Sequence, residues 1–320
     1  GRLLLQARPQ EGSERSGPQV KTLIPASAIE LEGPWTHRHV SAGGAAFHVA
    51  DMGEGMDHAL VLLHGFPEHW WAWRDVLPTL AESTSRVFAL DLRGFGTSDL
   101  TRGDCDLQQM ANDVIGVVRA LGVTSFSVAG MGIGGTVAWM IGALAPLELR
   151  SVAVLSAPHP LGVQPVIGHA PWAGGRLLQG RLALPTGRER ALRSGSLVTT
   201  VLRAWASPGN VDALVSQSGT YRAALRRPFA AHTALRGLSA TRKISREERR
   251  LLSEPVRVPV LSLVGRDDGA WSALDHAADA QFVDAPLTQI VIRKAGHFLP
   301  EEAPQVVAEA LSEHVCTHAK

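Results

Sequence analysis

The residues best suited to chemistry follow three separate apolar runs of the chain. Gly130-Met131-Gly132-Ile133-Gly134-Gly135 follows the run 124–129, Gly265-Arg266-Asp267-Asp268 follows 258–264, and Ala295-Gly296-His297-Phe298 follows 288–293. A strand, a tight glycine turn and a helix form the nucleophile elbow Gly-x-Nuc-x-Gly, which nucleophilic enzymes pair with a carboxylate and an imidazole later in the chain. The residue at the centre of this elbow is Gly132, which has no side chain to attack with.

A fourth segment, His64-Gly65-Phe66-Pro67, also follows an apolar run. Backbone N–H groups after such turns point at a developing oxyanion, so the amides of Phe66 and Ile133 are predicted to form an oxyanion hole.

The same glycines permit a second interpretation, because Gly130, Gly132 and Gly135 match the dinucleotide fingerprint Gly-x-Gly-x-x-Gly. That fingerprint needs an acidic residue about 20 positions further on, at the end of the next strand. The next apolar run ends in Ser156-Ala157-Pro158, without a carboxylate. We therefore predict no nucleotide cofactor, and no other cofactor.

The elements that must position these residues alternate between strand-like and helical patterns. Strands are predicted at 36–41, 45–51, 58–64, 86–91, 124–129, 150–156, 258–264 and 288–293, and helices at 71–82, 106–121, 135–145, 271–281 and 302–314. Near-continuous apolar strands separated by helices indicate an α/β fold with a mostly parallel eight-stranded sheet covered on both faces.

The alternation stops after the sixth strand and resumes near residue 257. The domain prediction is a disordered tail over 1–32, an α/β core over 33–157 and 257–320, and a helical cap over 158–256.

Taken together, these segments resemble the epoxide-hydrolase-like branch of the α/β-hydrolases, of the actinobacterial type. The resemblance runs from about residue 33 to the C-terminus and is carried by HGFPEHWWAWRD (64–75), DLRGFGTSD (91–99), the elbow, the cap, GRDD (265–268) and AGHFLPEEAP (295–304). It implies an aspartate at the elbow that attacks an epoxide, a His–Asp pair that activates water, and two cap tyrosines that hold the epoxide oxygen. It places the acid at Asp268, favoured over Asp267 by spacing, and the base at His297.

The chain departs from this pattern in two places. Gly132 stands where the aspartate belongs, and Tyr221 is the single tyrosine of the chain, so a two-tyrosine clamp is impossible. The favoured interpretation is a pseudoenzyme whose capped pocket serves to bind a small apolar or anionic molecule or to interact with a protein. The alternative is a hydrolase or lyase in which His297 and Asp268 act as a general base without a covalent intermediate. Further pocket residues are predicted at His64, Trp70, Met131, His159 and Tyr221.

Charge distribution leaves a third alternative open. The chain of 320 residues has a net charge of +1, but residues 158–256 hold 15 basic and 5 acidic side chains while the remainder is net −9. Such an asymmetry is typical of a scaffold for an acidic protein or an anionic membrane surface, or of an ordinary solvated face. The near-neutral total argues against a nucleic-acid partner.

Cysteine and histidine spacing predict no metal site. Two cysteines, Cys105 and Cys316, exclude a disulfide framework, and the 13 histidines show no metal-ligand spacing. The uncharged stretch 120–147 is long enough to span a bilayer, but its glycine cluster favours a turn between buried elements. We predict a cytoplasmic protein, with peripheral membrane association as the alternative.

Overall fold

The computed structural model describes residues 24–84, 86–100, 105–163, 178 and 187–319. An eight-stranded sheet forms the centre, in the order β1-β2-β4-β3-β5-β6-β7-β8. The strands are β1 Thr36–Ala42, β2 Ala45–Gly53, β3 Ala59–Leu63, β4 Arg86–Leu90, β5 Phe126–Met131, β6 Leu149–Leu155, β7 Val260–Gly265 and β8 Leu287–Ile292. β1, β2 and β4 pair antiparallel, whereas the pairs from β4 through β3 to β8 are parallel. The predicted α/β fold is confirmed.

Burial follows position in the sheet. Every residue of β3, β5 and β7 is buried, because helices cover both faces of these central strands. The core helices are α1 Leu77–Thr84, α2 Leu107–Ala120, α3 Ile133–Leu144, and the C-terminal α10 Leu299–Glu302 and α11 Pro304–His318. Asp106 caps α2, since its side chain accepts a hydrogen bond from Gln109 N at 2.7 Å.

The cap lies between β6 and β7, as predicted. Its described helices are α4 Arg188–Ser194, α5 Ser196–Trp205, α6 Val211–Ser216, α7 Ser218–Leu225, α8 Ala230–Ala240 and α9 Arg246–Leu252. Helix α5 buries Val198, Val201, Leu202 and Trp205 on one face. This spacing of three and four residues is that of an amphipathic helix, and it turns the apolar side of α5 inward.

Two predictions about local structure were wrong. The predicted helix 271–281 consists of two short 3-10 helices, Ala273–His276 and Asp279–Phe282. Ser272 and Asp275 form a capping box at the first of them, and the Asp279 carboxylate at the start of the second accepts a hydrogen bond from His159 N at 2.8 Å, which holds this segment against the chain after β6. The predicted disordered tail over 1–32 is too long. Residues 1–23 lie outside the described residues, but Ile29 is fully buried and its carbonyl accepts a hydrogen bond from Trp70 Nε1 at 3.0 Å.

The uncharged stretch 120–147 forms β5 and α3 inside the core. In the part of the chain that the structure describes, every helix is too short or too polar to cross a membrane.

Candidate active site and ligand cavity

The turn between β5 and α3 is built from glycines because backbone atoms crowd it. A Cβ on Gly130 would lie 2.1 Å from Gly134 O, and a Cβ on Gly134 would lie 2.5 Å from Leu63 O. Gly132 is the N-cap residue of α3 and has φ 53° and ψ −115°, a backbone conformation that L side chains rarely adopt. Its N–H donates to Leu155 O at 3.0 Å, which ties the turn to β6. This is the sharp strand-to-helix turn that an elbow requires.

An imidazole and a carboxylate meet beside this turn. His297 Nδ1 lies 3.1 and 3.2 Å from the two carboxylate oxygens of Asp268, and both side chains are buried. Asp268 Oδ1 also accepts the N–H groups of Ala270 at 2.7 Å and Trp271 at 3.0 Å. The neighbouring Asp267 instead accepts from Ser207 Oγ at 2.9 Å, so Asp268 is the acid that faces His297.

The free nitrogen of His297 points at the elbow. A Cβ built on Gly132 would lie 3.0 Å from His297 Nε2 and 3.7 Å from Cε1. The three positions that the sequence assigns to nucleophile, acid and base therefore converge, with a carboxylate on one nitrogen of the ring and the elbow on the other.

A cavity of about 290 Å³ opens above Gly132 and His297. The wall has two parts. The core contributes Phe66, Ile133, Thr136, Ala270 and Trp271, and the segment between β6 and β7 contributes Ala157, Pro158, Pro160, Val163, Trp205, Leu238, Thr241, Arg242 and Ile244. The wall is mainly apolar with a few polar groups, which is the usual composition of a small-molecule site. Phe66 and Ile133 both border it, and their assignment to an oxyanion hole stays a prediction.

Arg242 brings a cationic group to this apolar wall. Burial lowers the pKa of its guanidinium, yet an arginine stays protonated in proteins. Arg242 therefore gives this wall a positive charge, in addition to the interaction that its side chain makes within the protein.

The five further residues predicted for the pocket wall do not line the cavity. His64 lies behind the elbow: its Nδ1 donates to Gly65 O at 2.8 Å and its Nε2 accepts from Leu92 N at 3.1 Å. Burial lowers the pKa of this imidazole, in agreement with a neutral ring that donates from one nitrogen and accepts with the other. Met131 is fully buried at the end of β5.

Trp70 and His159 are held elsewhere by their own contacts. Trp70 bonds Ile29 O through its indole and Asp91 Oδ1 through its backbone N–H, on the β2 side of the sheet. The ring of His159 stacks on Phe282 with centroids 3.8 Å apart, and burial lowers its pKa to about 3. Its neighbours Pro158 and Pro160 face the cavity instead.

Tyr221 is buried in a separate polar cluster. Its ring packs edge-on against His69 with centroids 5.4 Å apart. Burial, together with the carboxyl groups of Glu301 and Glu68, raises the pKa of its phenol well above the usual value. Tyr221 therefore packs between cap and core and does not line the cavity.

Two residues that sequence reasoning missed, Trp205 and Trp271, add aromatic surface to the wall beside Phe66. Trp205 O accepts backbone hydrogen bonds from His297 N at 2.9 Å and Gly269 N at 3.2 Å. The approach is so close that a Cβ on Gly269 would lie 2.0 Å from Ala204 O. The end of α5 is thus joined directly to the loops that carry acid and base.

The basic cap is partly turned toward the core. Arg227 donates to the carbonyl oxygens of Gly96 and Ser98, and burial lowers the pKa of its guanidinium. His232 pairs with Glu189 at 2.7 Å on the cap surface. Some of the cap's positive charge therefore serves attraction between cap and core.

The fold, the elbow and the His–Asp pair define a class of protein. Residues 58–304 match the family described as alpha/beta hydrolase fold, and the chain belongs to this family. Its curated relatives include the "AB hydrolase superfamily protein YfhM" of Bacillus subtilis, 27% identical over 86% of this chain and 96% of that protein. "Epoxide hydrolase 3" of Xenopus tropicalis is 27% identical over 86% of this chain and 77% of that protein. Among solved structures, Cfl2 from Burkholderia cenocepacia superposes with a TM-score of 0.73 at 26% identity, covering 88% of this chain and 95% of the other.

Proposed function

We propose that this epoxide-hydrolase-like α/β-hydrolase has lost covalent catalysis and binds, in its capped cavity, a small molecule with an apolar body and a negatively charged group. One observation carries the proposal: the residue beneath His297 Nε2, where a nucleophile's Cβ would lie 3.0 Å away, is Gly132. Without an attacking side chain no ester intermediate forms, and losing the nucleophile removes most of the rate that such a triad provides.

The position of Tyr221 supports the same conclusion. Opening an epoxide leaves a negative charge on the ring oxygen, which the resemblance assigns to two cap tyrosines. Tyr221 is fully buried against His69 and lies outside the cavity wall. The nucleophile and the electrophilic clamp would therefore both be missing.

The cavity wall supports the ligand class. Phe66, Trp205 and Trp271 offer aromatic surface, while Arg242 offers a cation and the predicted oxyanion hole offers N–H donors. A carboxylate on a small aromatic or branched aliphatic body matches both features.

A second candidate function rests on the assembled His–Asp pair. His297 borders the cavity and keeps its bond to Asp268, so it can accept a proton from a water molecule or from an acidic C–H of a ligand. General-base catalysis of this kind contributes about 10²–10⁴ in rate. The third alternative, a scaffold that binds an acidic protein or an anionic membrane through the basic cap, stays a prediction.

Ligand binding tests the first proposal through the tryptophans of the wall. We expect small aryl and branched alkyl carboxylates to quench tryptophan fluorescence saturably, and their neutral amides to bind at least about tenfold more weakly, since a charged hydrogen bond is lost. Arg242→Met should reduce carboxylate affinity by a similar factor. Arg203→Met is the matched control, because Arg203 is an exposed arginine of the same cap.

Turnover assays separate the two candidates. If the chain is a binding protein, we expect no hydrolysis of any epoxide or ester tested. Turnover that disappears in His297→Ala without a trappable covalent adduct would establish the general-base enzyme, and a trapped ester on the protein would refute both. Equal binding of acid and amide would refute the anion-binding assignment.

A further inference from the structure

A second cluster of polar side chains lies on the β1–β2 hairpin, and its residues do not line the cavity. His37 and His39 are two residues apart on β1, so they lie on the same face of the sheet. The hairpin register places His39 opposite His48 of β2. Glu30 reaches the same place from the turn before β1. Each of Glu30, His37 and His48 offers one ligand atom, and these three atoms all lie within 4.8 Å of one another.

The two imidazoles face each other. His37 Nδ1 lies 2.8 Å from His48 Nε2, and the rings are inclined by 31°. The remaining nitrogen of each ring is directed elsewhere: His48 Nδ1 lies 2.8 Å from Asp91 Oδ2, and His37 Nε2 lies 2.9 Å from Leu31 O. Histidines that bind metals almost always donate their second N–H to a carboxylate or a backbone carbonyl, and here both do.

The carboxylate of the cluster is oriented in the same way. Glu30 Oε1 accepts from Thr97 Oγ1 at 2.7 Å and lies 2.9 Å from His39 Nε2. Asp91, which orients His48, is fully buried and also accepts from Trp70 N at 2.8 Å. Hydrogen bonds to neighbouring groups thus fix the orientation of all three candidate ligand side chains.

Counting protons shows why a cation belongs between the rings. The contacts of the two imidazoles with Asp91, with each other and with Leu31 need three N–H groups on two rings. Two neutral imidazoles supply two. Either a third proton is bound, or a metal ion takes the place of the hydrogen between His37 and His48.

We propose that Glu30, His37 and His48 form a site for a divalent transition-metal ion, with Zn²⁺ the ion that suits two imidazoles and one carboxylate. Two nitrogens on one tetrahedral Zn²⁺ lie roughly 3.3 Å apart, given Zn–N distances of about 2.0–2.1 Å, so the rings must separate by about 0.5 Å. Glu30 and His37 are only partly buried, which leaves the fourth position accessible to water. The ion would tie the segment before β1 to the edge of the sheet.

The experiment uses tag-free protein treated with a chelator and then dialysed. Zn²⁺ is titrated in competition with a chromophoric chelator, and Co²⁺ absorbance in the visible range reports tetrahedral coordination. We expect one ion per chain. Glu30→Gln and His37→Ala should each weaken binding by at least about tenfold, the lower end of what loss of even an orienting partner costs.

The controls keep the result interpretable. His232→Ala removes a histidine that pairs with Glu189 at 2.7 Å on the surface of the cap, and it should leave Zn²⁺ affinity unchanged. Glu30→Gln preserves side-chain shape, so far-UV circular dichroism should match that of the parent protein. Absence of saturable binding, or binding that Glu30→Gln and His37→Ala leave intact, overturns the site and leaves the shared proton as the cation of this cluster.

Discussion

Replacing Gly132 with alanine tests whether the elbow is held in a strained conformation beneath His297. With φ 53° and ψ −115°, an L residue at this position costs about 1–3 kcal/mol of backbone strain. Its Cβ would also lie 3.0 Å from His297 Nε2, so the ring must shift by a few tenths of an ångström, which adds about 1 kcal/mol of overpacking. We expect the free energy of unfolding to fall by about 2–4 kcal/mol.

Urea unfolding followed by circular dichroism measures this change. Gly187→Ala is the matched control, because Gly187 has φ 75° with no atom within 4 Å of a new Cβ, and it therefore isolates the cost of a left-handed backbone. Repeating Gly132→Ala in a His297→Ala background removes the contact with the ring, and the loss should then be smaller by about 1 kcal/mol. The reasoning fails if Gly132→Ala costs no more than Gly187→Ala and costs the same in both backgrounds.

Three other substitutions have defined outcomes in urea unfolding. Asp268→Ala leaves the N–H donors of its loop and of His297 buried without an acceptor, so unfolding free energy should fall by about 3 kcal/mol or more; a loss below about 1 kcal/mol would contradict the pairing. Burial and nearby carboxyl groups raise the pKa of Glu68 well above 4.5. The folded state then holds this proton more tightly than the unfolded chain, so stability falls as pH rises above about 4.5, and Glu68→Gln should flatten that slope between pH 5 and 7. Burial lowers the pKa of His159 to about 3, so stability falls as pH drops below 6.5, and His159→Phe, which keeps the stack on Phe282, should remove this contribution. If Glu68→Gln or His159→Phe leaves the pH dependence of the unfolding free energy unchanged, the pKa shift assigned to that residue is refuted.

Strands could be predicted closely because their signal is local. Each of the eight predicted strands lies within two residues of the observed bounds, as with 258–264 against Val260–Gly265. Apolar runs between glycine-rich turns have few other ways to be buried. The predicted helix 271–281 was wrong: the segment forms two short 3-10 helices, and a distant partner, His159 N, holds Asp279 in the second. A bond across 120 residues leaves no periodic trace in the sequence.

The site could be predicted only where chain order determines it. Gly132, Asp268 and His297 follow the carboxyl ends of parallel strands, so topology alone brings them together. Trp205 and Trp271 reach the cavity through packing of the cap and of an irregular loop, which spacing does not encode. The histidines of the hairpin lack the spacing of a metal-ligand motif, so the sequence predicts no metal site. The signal that was available is the pairing of His39 with His48 across the turn at residues 43–44, which places His37 and His48 on one face.

The two backbone bonds at Trp205 have a consequence for how molecules exchange with the cavity. Lifting α5 would break the bonds of Trp205 O with His297 N and Gly269 N, and each buried group left unpaired costs about 1–3 kcal/mol. The same movement would pull on His297 itself. We therefore expect α5 to stay in place while molecules enter and leave the cavity. The same two bonds therefore couple the position of α5 to the geometry of the His–Asp pair.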